Sequence, residues 1–211
     1  MAAVSRARQA KKRVENEIEF SRIVAFSDGV FAIAITLLVL NLTVPEHLGH
    51  EELWSVLWNE RQDLFAYAIS FAVVGRFWVV HHRFFGDVTG FDSRLIALNL
   101  FYLAWIVLMP FSSEVLGDHA DQSAAVILYA VNLTGVLLAG AWMFFDARRA
   151  GLSEASEEEA REGHRRALLV SVVFLASIPV ALVNPRLAPY SWLVLFVPTF
   201  GRLARARRPQ P

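Results

Sequence analysis

The chain has 211 residues, and its 20 Lys and Arg balance 20 Asp and Glu, so its formal net charge is zero. That balance gives no indication of a nucleic-acid partner, and the absence of cysteine excludes disulfides and Cys-ligated metal sites. With 55% hydrophobic residues and a mean hydropathy of +0.42, the chain is too apolar for an ordinary soluble domain of this length.

Several stretches are long enough to cross a lipid bilayer. A membrane-spanning helix needs about 20 mostly apolar residues, because the hydrocarbon core is about 30 Å thick and a helix rises about 1.5 Å per residue. Six stretches meet this requirement, at 23–44, 62–82, 95–116, 123–145, 166–184 and 189–204. Pro185 and Pro189 bracket the last connection and predict a tight antiparallel hairpin. The sequence therefore predicts an all-α membrane protein with six transmembrane helices.

The distribution of charge predicts the orientation of these spans. Basic residues beside membrane spans tend to stay in the cytoplasm. They cluster before span one, in the connections between spans two and three and between spans four and five, and after span six, whereas the opposite loops carry only Arg61 and Arg186. Both termini are therefore expected in the cytoplasm. The predicted organisation is a basic N-terminus, a six-span domain interrupted by a helical cytoplasmic linker, and a short cytoplasmic tail: 1–21, 22–206 with the linker at 147–165, and 207–211.

Span one carries a carboxylate, Asp28, about one turn inside its cytoplasmic end. A charged Asp at the centre of a span costs about 2.5 to 3.5 kcal/mol and somewhat less near the interface, so it should face protein or water and have partners. Alternatively, Asp28 caps the start of the helix, where the macrodipole favours negative charge. The sequence leaves both interpretations open.

The two sides of span one differ in character. At about 100° per residue, Asp28 lies on one face with Ala32, and a mostly apolar stripe lies on another. The stripe consists of Gly29, Ile33, Thr36, Leu37 and Leu40. Such a stripe could simply face lipid, although the small residues Ala25, Gly29 and Ala32 favour close helix packing.

The beginning of this span carries a recognisable motif. The pattern Arg22-x-x-x-Phe26-Ser27-Asp28 resembles the signature of the transmembrane protein 175 family of potassium channels. The resemblance continues in the next two spans, at Trp78-x-x-His81 with Arg83, at Leu98-Asn99-Leu100 and at Pro110-Phe111. It covers about the first half of the chain by motif and the remainder by span count alone.

The resemblance implies a potassium-selective, leak-type channel in the cell membrane of a bacterium, formed as a homotetramer with the first helix lining a central pore. By position, Ile33 would form a hydrophobic constriction, Thr36 a ring of hydroxyls, and Leu37 and Leu40 further narrow layers. The family lacks a carbonyl-lined filter, and this sequence likewise has no Thr-Val-Gly-Tyr-Gly run. The implied partners are potassium ions, other copies of the chain and the lipid bilayer; no cofactor and no metal other than transported potassium is expected.

The same resemblance implies a polar network that packs span one against spans two and three. Intramembrane polar groups must find partners, and an indole N–H, an imidazole and a carboxylate are complementary. His82 is interpreted as interfacial, and the partner of Arg76 is not evident. The implied members of the network are Arg22, Phe26, Ser27, Asp28, Trp78, His81 and Asn99.

Two other classes of function remain to be weighed. In a proton-coupled secondary transporter, Asp28 and His81 would be protonation sites, but no inverted repeat or symmetric pair of interrupted helices is visible. An intramembrane enzyme would need a metal constellation or an activated nucleophile. The chain has no His-Glu-x-x-His pattern and no nucleophile elbow, so it is not expected to be an enzyme.

Overall fold

The computed structural model describes residues 2–42, 55, 58 and 61–195. Within these ranges the chain is helical, apart from turns and a single isolated β-bridge. The α-helices are α1 (Ala2–Leu37), α2 (Arg61–Gly86), α3 (Ser93–Val107), α4 (Met109–Asp118), α5 (Ser123–Arg149) and α6 (Glu157–Val183). Two 3-10 helices follow α1 and α6, at Leu38–Asn41 and Ala188–Leu195.

The helices pack in three groups, with α3 and α4 in the middle. On one side α1 packs against α2, α3 and α4, and on the other side α5 packs against α3, α4 and α6. The 3-10 helix Ala188–Leu195 returns onto α6, where the ring of Trp192 contacts that of Phe174 at 5.6 Å between centroids. This fold-back agrees with the hairpin predicted from the two prolines.

Four helical segments within the described ranges are long and apolar enough to cross a membrane: Glu15–Leu40, Ser93–Asp118, Ser123–Arg149 and Glu157–Val183. They confirm the prediction of an all-α membrane protein. Helix α2 covers the second predicted span but carries Arg76 and the run His81–Arg83. Most of the last predicted span, 189–204, lies outside the described residues, so the count of six stays a prediction.

Helix α1 is longer than the predicted first span, because it begins at Ala2 rather than near residue 23. The N-terminal segment is rich in Ala, Arg, Lys, Gln and Glu, which are good helix formers in water, so the helix continues through it. Asp28 therefore lies well inside α1. The interpretation of Asp28 as a cap at the helix start is wrong.

The third predicted span, 95–116, is divided into α3 and α4 at a turn on Leu108. Pro110 lies in the first turn of α4, where its missing N–H removes no helical hydrogen bond. A proline inside a continuous helix would clash with the carbonyl four residues earlier and leave it without a donor. The division therefore falls where Pro110 is accommodated without strain, although Pro179 shows that α6 tolerates a proline in its interior.

The predicted helical linker, 147–165, is only partly helical. Helix α5 ends at Arg149, Gly151 adopts a left-handed φ of +70°, and α6 begins at Glu157. Ser156 caps α6, because its hydroxyl accepts from the backbone N–H of Glu159 at 3.2 Å while its own backbone N–H donates to the Glu159 carboxylate at 2.9 Å. The non-helical part pairs with the connection between α2 and α3, where the Thr89 N–H donates to the Leu152 carbonyl at 2.9 Å.

Helices α3 and α5 approach each other closely at a glycine. A Cβ on Gly135 would lie 2.5 Å from the indole ring of Trp105. Ala139, one turn further along α5, is also buried. Two small residues four positions apart are typical of close contacts between transmembrane helices.

Candidate functional site

Helix α1 has one face that packs against its own subunit and an opposite face that does not. The packed face consists of residues three or four apart, which is the helical repeat. These are Ser27, Phe31, Ala34 and Leu38, all at most 2% exposed. They fix the rotation of α1 about its axis, and so determine which residues the opposite face presents.

The opposite face carries the stripe that the family resemblance assigns to a pore. Ile33 is 60% exposed and Leu40 is 67% exposed, while Leu37 and Thr36 are also exposed. The Thr36 hydroxyl donates to the Ile33 carbonyl at 2.9 Å. Since its only proton is used in this way, the outward side of the hydroxyl presents oxygen lone pairs. A single subunit therefore leaves three apolar side chains and one acceptor oxygen uncovered along α1.

A buried hydrogen-bonded chain joins α1 to α2 and α3. The Asn99 side-chain amide donates to the Ser27 hydroxyl at 2.9 Å, and the Asn99 oxygen lies 2.8 Å from His81 Nε2. Ser27 in turn donates to the Ile23 carbonyl at 3.0 Å. Because the Asn99 oxygen can only accept, this network assigns the proton of the neutral imidazole to Nε2.

The ring of His81 is enclosed by aromatic side chains. It stacks on Tyr102, with ring centroids 5.4 Å apart and planes 14° from parallel, and it also contacts Phe31 and Phe85 at 5.3 and 4.6 Å. Its Nδ1 atom is buried and has no hydrogen-bond partner within the described ranges. The chain of hydrogen bonds from α1 therefore ends at His81.

Asp28 belongs to a second, separate unit. Its carboxylate accepts from the indole N–H of Trp78 at 2.8 Å, and the Trp78 ring stacks on His82 at 5.5 Å. Trp78 is 37% exposed, so this unit lies at the surface of the subunit, whereas the Ser27–Asn99–His81 chain lies inside. The resemblance implied a single polar network. Within one subunit, its residues instead form two separate hydrogen-bonded units.

Arg22 and Phe26 lie beside this site rather than in either unit. Both are exposed, and they line an open groove of about 310 Å³ between α1 and α3. The other residues of the groove are Glu19, Ile23, Ile96, Asn99 and Leu100. Arg76, on α2, is half-buried, and no hydrogen bond or ion pair to it is found among the residues that the structure describes.

The structure also holds buried polar contacts that sequence reasoning missed. Ser70 of α2 shares a hydrogen bond with Ser113 of α4 at 2.7 Å, and the Asn132 amide donates to Ser112 at 2.8 Å. Near the other end of α5, Asp146 pairs with Arg94 at 2.8 Å. An amide inside a span needs a partner, and that requirement could have identified Asn132 from the sequence.

Comparison with known proteins places these observations in a family. Residues 22–110 match the family described as endosomal/lysosomal potassium channel TMEM175. A potassium channel of Streptomyces collinus is 39% identical over 126 residues, which are 60% of this chain and 61% of that protein. A potassium channel of Chamaesiphon minutus is 40% identical over 131 residues, or 60% of this chain and 63% of that protein. The chain thus spans about six-tenths of the length of the curated relatives that it matches.

The similarity to a solved structure extends over most of the chain. The crystal structure of a lysosomal potassium-selective channel TMEM175 homolog from Chamaesiphon minutus superposes with a TM-score of 0.72 at 26% identity. It covers 90% of this chain and 99% of that one.

The fold and the apolar helices define a multi-pass α-helical membrane protein. The motifs of α1 to α4 and the shared fold narrow this class further. Over residues 22–110 the chain is similar to the TMEM175 family, as its sequence motifs indicated, and it shares the fold of a solved TMEM175 homolog.

Proposed function

We propose that the chain is a potassium-selective, leak-type channel that assembles as a homotetramer, with α1 of each copy lining a central pore. The observation that carries this proposal is the uncovered stripe on α1, opposite the face fixed by Ser27, Phe31 and Leu38. The names of its relatives as potassium channels support it.

A single subunit cannot enclose a path with this stripe, because the stripe lies on its outer surface. Copies arranged around an axis with closed symmetry bring the stripes to face one another. The narrowest layer of the proposed pore is Ile33, whose side chain is 60% exposed in one subunit. An apolar ring of this kind can stop conduction by losing its water, without a moving plug.

Selection between cations would arise in the same layers. Potassium loses its hydration water more readily than sodium does, so a narrow apolar ring penalises sodium more. The Thr36 hydroxyl, which already donates to the Ile33 carbonyl, offers its oxygen as an acceptor to the passing ion. Leu37 and Leu40 would form further narrow layers, and no carbonyl filter is needed.

The hydrogen-bonded chain through Asn99 would act on the pore indirectly. It ties the buried face of α1 to α2 and α3 through Ser27 and His81. A rotation of α1 that moved Ile33 away from the axis would break these bonds. We therefore assign Ser27, Asn99 and His81 a positioning role, together with the Asp28–Trp78 pair.

The alternative of a proton-coupled transporter is not favoured. The relatives are named as channels, and the two candidate protonation sites are not joined to each other. His81 is 2% exposed and bonds to Asn99, whereas Asp28 bonds to Trp78 in the other unit. We propose no catalytic role. The proposed location is the cell membrane with both termini in the cytoplasm, since basic residues cluster at both ends.

The test is a reversal potential across planar bilayers, with potassium on one side and sodium on the other. The wild-type protein should reverse toward the potassium potential. Ile33→Asn should raise the conductance and move the reversal potential toward zero, because a polar ring holds water and removes the dehydration penalty. Val39→Asn is the matched control, since Val39 is also exposed, in the 3-10 helix that directly follows α1, but lies outside the stripe. Equal effects at both positions would contradict the pore assignment.

A further inference from the structure

The N-terminal part of α1 projects beyond the membrane as a helix. At about 1.5 Å per residue, an α1 that begins at Ala2 and ends at Leu37 is about 54 Å long, whereas the hydrocarbon core is only about 30 Å thick. Phe20 packs on Phe85 and Phe91 at 6.0 and 6.1 Å, and every residue from Glu15 to Glu19 is exposed. We call residues 2–19 the N-terminal extension.

The extension carries a heptad pattern. Apolar or small residues, interrupted by one lysine, recur three and four positions apart, which is the spacing of a coiled-coil seam. With a positions at 4, 11 and 18 and d positions at 7 and 14, the seam consists of Val4, Ala7, Lys11, Val14 and Ile18. Ile18 is 56% exposed, so its apolar surface is not covered within one subunit.

The seam lies on the same side of α1 as the proposed pore stripe. Ile18 precedes Thr36 by about five turns at 3.6 residues per turn, so the two share one direction. The face that packs against the subunit lies opposite, and Asn16 shares it because Asn16 precedes Ser27 by about three turns. If four copies of α1 gather around one axis, the four seams meet along that axis.

The charges beside the seam suit a parallel arrangement of copies. Glu17 occupies a g position and Arg22 the e position five residues later, which is the spacing at which parallel strands form ion pairs between neighbours. Lys11 at an a position weakens a seam while specifying its register. So short a seam would not hold isolated helices together, but a membrane domain that is already assembled keeps the extensions at high effective concentration.

From these observations we propose that the N-terminal extension forms a parallel helical bundle with the same segment of the other copies, continuing the axis of the pore outside the membrane. The partner is a second copy of this chain, and the proposal rests on the proposed tetrameric channel.

Disulfide cross-linking tests this directly, because the chain contains no cysteine. Ile18→Cys places a thiol in the seam, and Asn16→Cys places an exposed thiol on the opposite face of the same helix. Treatment of the purified full-length protein with copper-phenanthroline should cross-link Ile18→Cys into dimers several-fold faster than Asn16→Cys. Equal rates, or no cross-link at either position, would overturn the bundle.

The same samples separate this inference from the proposed function. A tetramer by light scattering that conducts potassium but does not cross-link at Ile18→Cys overturns the bundle alone, and a monomer without flux overturns both. In a second test, Lys11→Val should raise the temperature at which the assembly dissociates, whereas Gln9→Val, on the opposite face, should not. Equal effects of both changes on the dissociation temperature would refute the bundle.

Discussion

Asn99 is the residue through which α1 is tied to α2 and α3, and its replacement by Leu should destabilise the subunit. Leu has a similar branched shape but can neither donate nor accept. The Ser27 hydroxyl would keep its bond to the Ile23 carbonyl at 3.0 Å, so losing the bond to Asn99 removes about 0.6 kcal/mol, the average for a hydrogen bond between membrane helices. His81, in contrast, would be left with a buried N–H that has no acceptor.

The unpaired N–H of His81 accounts for most of the expected loss of stability. A buried donor left without a partner costs about 1 to 3 kcal/mol, and the Nδ1 atom of His81 already has no partner among the described residues. Together the two effects predict that Asn99→Leu lowers the free energy of unfolding by about 2 to 4 kcal/mol. Unfolding in mixed micelles by titration with sodium dodecyl sulfate measures this difference.

The double variant His81→Phe/Asn99→Leu provides the sharper measurement. His81 lies among Phe31, Phe85 and Tyr102, so a phenyl ring suits the site, and replacing both partners by apolar groups can be nearly neutral. We expect the double variant to recover most of the stability lost in either single variant. If the two losses simply add, the hydrogen bond between Asn99 and His81 is not what stabilises this contact.

Two further predictions concern the contacts between α3 and α5. Gly135→Ala should destabilise by about 1 to 3 kcal/mol in the same micelle assay, because the added Cβ meets the Trp105 ring. As a control, Gly163→Ala, at a glycine of α6 with open space around it, should instead stabilise by up to about 1 kcal/mol, and a loss at Gly163 equal to that at Gly135 would contradict the packing argument. Arg94→Ala should cost more than Asp146→Asn, because it leaves the carboxylate, 11% exposed, without its cation. Thermal unfolding of both variants measures the difference, and the reverse order would show that burial of Asp146 is unimportant.

The apolar stretches of the sequence were enough to predict the class of fold, because lipid imposes a length and a composition on any helix that crosses it. They could not predict where each helix ends. The N-terminal residues of α1 are polar, so hydropathy excludes them, although helix propensity favours them. The turn at Leu108 falls beside Pro110, and hydropathy does not register the conformational preference of a proline.

The candidate site was accessible from the sequence only in part. The helical repeat separates Ile33 from Asp28, and in the structure Ile33 lies on the uncovered face while Asp28 bonds to Trp78. Which side chains bond to each other between helices depends on how the helices are positioned in space. The spacing of residues along the sequence does not give those distances. For that reason the sequence could not show that Asp28 bonds to Trp78 while Ser27 bonds to Asn99.

Helix α1 is continuous from Ala2 to Leu37, so a tilt of its N-terminal part also moves its membrane-spanning part. If the helix tilts as a rigid rod about the point where Ser27 anchors it, Ile33 lies about 9 Å beyond that pivot and Val4 about 35 Å before it, at about 1.5 Å per residue. A sideways movement of 4 Å at Val4 would then displace Ile33 by only about 1 Å. A movement at the N-terminus would therefore change the radius of the proposed pore at Ile33 by a much smaller distance than the movement itself.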